Sequence, residues 1–153
     1  MNEEEIFYER RKKIIGRLLT RTSRGYQERV VKKIRERSGV HYKLGDNAVM
    51  IHLETKGNRI SELARRSGLT KQALSQLVAD LEKRGLVEKK KDPRDGRAFL
   101  VTFTEAGLAL LEIGVQVVED EDEAIVGVLG EERALALRAS LLELAEFLDP
   151  EGF

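Results

Sequence analysis

Apolar residues recur at helical spacing over most of this chain. From Glu5 to about Arg37, Phe7, Ile14, Ile15, Leu18, Leu19, Tyr26, Val30, Val31 and Ile34 return to one side of a helix among many arginines and lysines. This predicts one long helix, bent near Ser23-Arg24-Gly25 and ended by Ser38-Gly39. After the loop GVHYKLGDN, Val49, Met50 and Leu53 share a face between Ala48 and Glu54, predicting a short helix closed by Gly57. Next, Ser61 stands where an N-cap belongs, and Ile60, Leu63 and Ala64 mark the buried side of a two-turn helix. Gly68 supplies a left-handed stop, Leu69 plugs the turn, and Thr70 caps a further helix. There Ala73, Leu74, Leu77, Val78 and Leu81 form the apolar stripe, and Gly85 ends the run.

The period then switches from helical to alternating. Leu86 to Lys91 reads as a strand, Pro93 to Gly96 as a tight turn, and Arg97 to Phe103 as a second strand with Phe99, Val101 and Phe103 on one face. Thr104 is a candidate N-cap for a long C-terminal helix. Leu108, Leu111, Val115, Val118, Asp122, Ile125 and Leu129 fall at alternating spacings of 3 and 4, an a/d seam interrupted by one acid. Gly130 breaks it, Leu137, Leu141, Leu144 and Leu148 resume it, and Pro150 closes it. Two short helices about a glycine turn form a helix-turn-helix, a weak signal alone, but a hairpin directly after the second helix makes it winged. The expected fold is therefore mainly α with a small β-hairpin wing. In one chain of 153 residues, a winged helix-turn-helix lobe over 44–104 lies between helical regions at 1–38 and 105–149.

Charge changes the picture more than composition does. The net charge is zero. Yet residues 1–58 hold 14 basic and 8 acidic side chains, residues 59–97 hold 11 and 6, and residues 105–153 hold 2 and 13. Solvation of surface helices accounts for the acidic end; it leaves the basic middle unexplained, and a basic working surface is the expectation. With zero cysteines and 2 histidines, disulfides are excluded and a metal site is not expected. No apolar run approaches the ~18 residues of a membrane span, so a soluble cytoplasmic chain is expected. No Ser/His/Asp or Cys/His constellation or glycine-rich phosphate loop points to an enzyme or a cofactor.

In the stretch ISELARRSGLTKQALSQLVADLEKRGLVEKKKDPRDGRAFLVTFTEAGLALL the chain resembles the MarR family of bacterial and archaeal transcriptional regulators. The helix-turn-helix runs into a DxRDxR wing, here Asp92, Arg94, Asp95 and Arg97, and then into FTEAG, where the family usually has LTxxG. The motif-level likeness spans about residues 59–111. The resemblance implies a homodimer held by its N- and C-terminal helices. It further implies binding of a pseudo-palindromic operator, and repression relieved by a small, often aromatic effector.

On that basis the second helix is expected to enter the major groove. Gln72 and Gln76 offer paired donors and acceptors to adenine, Ser75 serves either role, and Lys71 and Thr70 face phosphates. Arg94 and Arg97 at the wing tip suit a narrow minor groove, where negative potential is concentrated. Asp92 and Asp95 are expected to pair with arginines and fix the tip, and Lys89, Lys90, Lys91, Arg65 and Arg66 to add phosphate contacts. Ile15, Leu18, Leu19, Leu137, Leu141, Leu144 and Leu148 are candidates for the subunit interface. His41 and Tyr42 are candidates to line an effector pocket. The acidic run Glu119 to Glu123 reads as the wet side of a helix rather than a cation site. A winged helix used for protein contacts, and a non-specific DNA binder, are the rival functions.

Overall fold

The computed structural model describes residues 2–150, and the chain divides into two compact units, residues 1–44 and 45–153. In the first unit, α1 (Glu3–Lys12) and α2 (Ile15–Ser38) replace the single long helix expected there. The break falls at Lys13-Ile14 and not at Ser23–Gly25; Ile14 is extended, with φ −68° and ψ 124°. The β-branched pair Ile14-Ile15 adapts readily to extended backbone. Gly25 costs a helix interior only ~1 kcal/mol, too little to break 24 residues of α2. Val30, Val31, Ile34 and Tyr42 are the buried apolar side chains of this unit, while Phe7, Ile14, Ile15 and Leu18 stay exposed. Gly39, at φ 68°, stops α2.

A one-turn 3₁₀ segment, Leu44–Asp46, falls at the boundary and runs into α3 (Asn47–Met50) of the second unit. This helix is shorter than expected: it ends at Met50, and Gly57 instead belongs to a loop at φ 84°. Next come α4 (Ile60–Ser67) and α5 (Lys71–Lys83), separated by Gly68 at φ 67°. Their N-caps differ. Thr70 accepts a hydrogen bond from the Ala73 amide at 3.2 Å, as expected. Arg59, not Ser61, precedes the first turn of α4 and makes no side-chain cap bond. Leu69 remains 38% exposed, so it covers the turn only in part. Leu63, Leu74, Val78 and Leu81 are fully buried, and with Val49, Met50, Leu53, Leu86, Val87 and Val101 they form the core of the unit.

β1 (Val87–Asp92) and β2 (Asp95–Phe103) pair antiparallel, Val87 opposite Phe103 and Lys91 opposite Phe99. The turn is tighter than the Pro93 to Gly96 expectation: Asp92 pairs with Asp95 across Pro93-Arg94, and a bulge lies between Lys91 and Asp92. Val101 and Phe103 are buried, but Phe99, near the tip, is 53% exposed. On the other edge of β2, Asn58 forms a one-residue bridge with Val101 through bonds of 3.1 and 2.9 Å. α6 (Glu105–Leu129) starts at Thr104, which accepts from the Gly107 amide at 3.0 Å and donates to the Gly85 carbonyl at 2.6 Å.

The a/d stripe of α6 is not the side that the single chain buries. Gly107, Leu110, Val117 and Glu121 are the buried residues of α6, whereas Leu108, Val115 and Val118 are exposed. Glu121 therefore lies inside, not on the wet side; Asp122, at the polar point of the expected seam, meets Arg138 of α7 at 3.3 Å. α7 (Glu131–Leu148) packs beside α6 without burying one of its residues. Among the described residues no helix is long and apolar enough to cross a membrane.

Candidate nucleic-acid interface

The amphipathic stripe of α5 buries Leu74, Val78 and Leu81 and so turns Lys71, Gln72 and Gln76 outward, with Ser75 half-buried. The Thr70 oxygen is engaged as the cap, which leaves its hydroxyl proton for a phosphate at the helix start. The far end of α5 is held by a residue that no local motif marks. Arg84 follows its last turn and forks onto Asp46 at 2.9 and 2.7 Å, with a further bond of 3.0 Å to Asp80. Asp46 is fully buried, and it holds the Arg84 guanidinium pKa above its ordinary value. Arg84 and Asp46 are 38 residues apart, which is why the sequence pattern does not join them.

α5 also meets the base of the hairpin, where Lys89 of β1 reaches Glu82 at 3.0 Å. Lys90 is engaged by Glu88 at 2.8 Å. Of the three lysines, Lys91 is exposed and carries no ion pair among the described residues.

At the tip, each aspartate braces the backbone ahead of it. Asp92 Oδ1 accepts from the Arg94 amide at 2.9 Å and Asp95 Oδ1 from the Arg97 amide at 3.2 Å. The expected arginine partner exists but is not on the wing: Arg59 donates to Asp92 at 2.6 and 2.9 Å and to Asp95 at 3.3 Å. The Arg94 amide, and after it the Arg59 guanidinium, hold the Asp92 carboxyl below the usual aspartate range. The side chains of Arg94 and Arg97 are exposed and enter no ion pair among the described residues.

Arg65 and Arg66 are not equivalent. Arg65 is exposed, but Arg66 binds Glu54 and Glu62, both at 2.7 Å, and so corrects the expectation of two phosphate-seeking arginines. Asn58, which is buried, links Glu54 to Glu62: it accepts from the Glu54 amide at 2.7 Å and donates to Glu62 at 3.0 Å. Hydrogen bonds from Lys56 and then Arg66 hold the Glu54 carboxyl down to about 2. In the first unit His41 is exposed and Tyr42 is buried, its carbonyl accepting from Arg35, so the pair does not present one shared face. Of the candidate interface residues, Ile15, Leu18, Leu137, Leu141 and Leu148 are exposed, and Leu19 and Leu144 are half-buried.

A glycine-turned helix pair backed by a braced hairpin, both bearing cations, defines a winged helix-turn-helix protein. Residues 51–98 match the model of the MarR family. The HTH-type transcriptional regulator FarR of Neisseria gonorrhoeae is 34% identical over 88 residues, which cover 58% of this chain and 60% of FarR. CouR of Rhodococcus jostii RHA1, solved bound to p-coumaroyl-CoA, is 25% identical with a TM-score of 0.68 over 88% of this chain and 93% of CouR. The Staphylococcus aureus MepR–DNA complex shares the fold, with a TM-score of 0.71 at 19% identity over 89% of this chain and 99% of that one. From the helix-turn-helix into the wing, the chain is thus similar to the MarR family of transcriptional regulators.

Proposed function

We propose that this protein is a sequence-specific DNA-binding regulator, without catalytic activity, that reads a pseudo-palindromic operator as a homodimer. The observation that carries the proposal is the wing tip. Two exposed arginines, without ion-pair partners among the described residues, stand on backbone braced by aspartates, in the same unit as the outward face of α5. In this reading Gln72, Ser75 and Gln76 meet base edges in the major groove, and Lys71 and Thr70 meet the flanking phosphates. Arg94 and Arg97 enter the neighbouring minor groove, while Lys91 and Arg65 add contacts to the backbone. Arg66 has no part in it, because its charge is already spent on two carboxylates.

Dimerisation through the apolar residues of α2 and α7 supplies the second reading head, one helical turn of DNA away. Repression relieved by a small aromatic effector completes the proposal; its support is the likeness to CouR, solved with p-coumaroyl-CoA. Selection of bound fragments from genomic DNA tests the reading. A symmetric consensus with half-sites about 10 base pairs apart is expected. Retention of fragments without a shared sequence, at a steep salt dependence, refutes sequence-specific recognition.

A further inference from the structure

The wing motif is two D-x-R units in tandem, Asp92-Pro93-Arg94 and Asp95-Gly96-Arg97, and the structure handles both in the same way. In each, one carboxylate oxygen accepts from the amide of the arginine two residues on, at 2.9 and 3.2 Å. In each, the other oxygen turns to one and the same atom, Nη2 of Arg59, at 2.6 and 3.3 Å. Arg59 Nε adds a bond of 2.9 Å to Asp92. Arg59 is the residue before the first turn of α4, and its neighbour Asn58 is bridged to β2. Its lack of a capping role for α4 thus has a counterpart: the side chain is committed to the wing.

We infer that Arg59 is a positioning residue for DNA recognition, one that never touches the duplex but fixes the aim of Arg94 and Arg97 by holding both aspartates. The inference rests on the DNA-binding reading above. Without Arg59, two carboxylates stand uncompensated at the tip, and the nearest mobile cations are the wing arginines themselves. Those guanidinium groups then fold back onto Asp92 and Asp95, and the carboxylates repel phosphate. With Arg59 in place the negative charge is bound toward the helix-turn-helix, and the outward side of the tip is cationic. A single fork spanning both units also fixes the spacing between the two arginines.

The test uses the full chain and a duplex that the wild-type protein retains from genomic fragments, with affinity read by fluorescence anisotropy at fixed salt. R59A and R94A are each expected to weaken binding roughly tenfold. The double variant R59A/R94A is expected to lose more than either single variant, through Arg97, but well short of about a hundredfold, because Arg59 acts in part through Arg94. R59A combined with Q72A, by contrast, is expected to show the full product of the two losses, since the helix contacts act separately. R59K, which keeps charge without the fork, falls between R59A and wild type.

Circular dichroism melts check that the variants fold. Should R59A unfold, D92N takes its place: it keeps the acceptor for the Arg94 amide and removes the ion pair, and the same non-additivity with R94A is expected. R59A binding as tightly as wild type, or losses of Arg59 and Arg94 that multiply in full, overturns the inference. A wild-type protein that retains no duplex overturns the DNA-binding reading instead.

Discussion

Replacing Gly107 by alanine tests how α6 is seated on the wing. A Cβ built there lies 1.9 Å from the Leu86 carbonyl oxygen, 3.0 Å from its carbon and 3.2 Å from Phe103 Cδ1. The first two neighbours are backbone, so no rotamer change relieves the clash. Reaching ordinary contact at 3.4 Å from 1.9 Å needs a shift of about 1.5 Å between the helix and the start of the hairpin. That oxygen also accepts from the Thr104 amide at 3.2 Å, beside the bonds of Thr104 Oγ1 to Gly85 and Gly107, so the shift disturbs the whole capping cluster.

Overpacking of this kind costs about 3 kcal/mol at the upper end of its usual range. Alanine recovers ~1 kcal/mol of helix propensity. The net destabilisation is about 2 kcal/mol, a fall in Tm of about 4–8 °C for a chain of this size. Gly127 is the internal control: it sits in the same helix, is exposed and has no atom within 4 Å of a built Cβ. Gly127→Ala is expected to stabilise by up to ~1 kcal/mol. Thermal and urea unfolding of both variants decide the matter. A Gly107→Ala protein as stable as wild type refutes the claim that this close approach seats α6.

The charged contacts and the outer helix are open to tests of their own. Arg84→Ala removes the forked partner of the buried Asp46 carboxylate and is expected to cost about 3 kcal/mol in urea unfolding, with Arg84→Lys costing less; a loss within experimental error contradicts the anchoring of α5. Glu54, whose ordinary value is 4.5, is expected to titrate at about 2 when its carboxyl carbon is followed by NMR, and a midpoint near 4.5 argues against the Lys56 and Arg66 contacts. Asp92 is depressed below 3.8, so its stabilising contribution is complete above that pH and is lost as pH falls through the lowered folded value. Hydrogen exchange at the Arg94 amide should therefore quicken relative to Val101 only on that acid side; equal protection of the two down to the unfolding pH rules out the Asp92 brace. Leu141→Glu, on the exposed apolar side of α7, is expected to shift sedimentation toward monomer, and an unchanged dimer means that the interface lies elsewhere.

The chain announces its elements through short-range physics. The stripe Leu74, Leu77, Val78 and Leu81, the caps Thr70 and Thr104, the stop at Gly68 and the alternation after Leu86 each rest on residues only a few positions apart. The helix-turn-helix, the wing and the outward polar face of α5 were legible for that reason, as was the need of Asp92 and Asp95 for an arginine. Which arginine was not legible, since Arg59 and Asp92 are 33 residues apart and meet only when the Asn58 bridge lays the start of α4 against β2. The same holds for Arg84 with Asp46, for the commitment of Arg66 to Glu54 and Glu62, and for the seam of α6. Leu110 and Val117 lie on nearly the opposite side of α6 from Leu108, Val115 and Val118; the helical period marks both stripes as apolar and does not say which one the chain itself buries. Local sequence thus determined what each segment becomes, and tertiary packing decided which charges meet and which apolar side turns inward. Those choices depend on distances between segments, a quantity that no local pattern encodes.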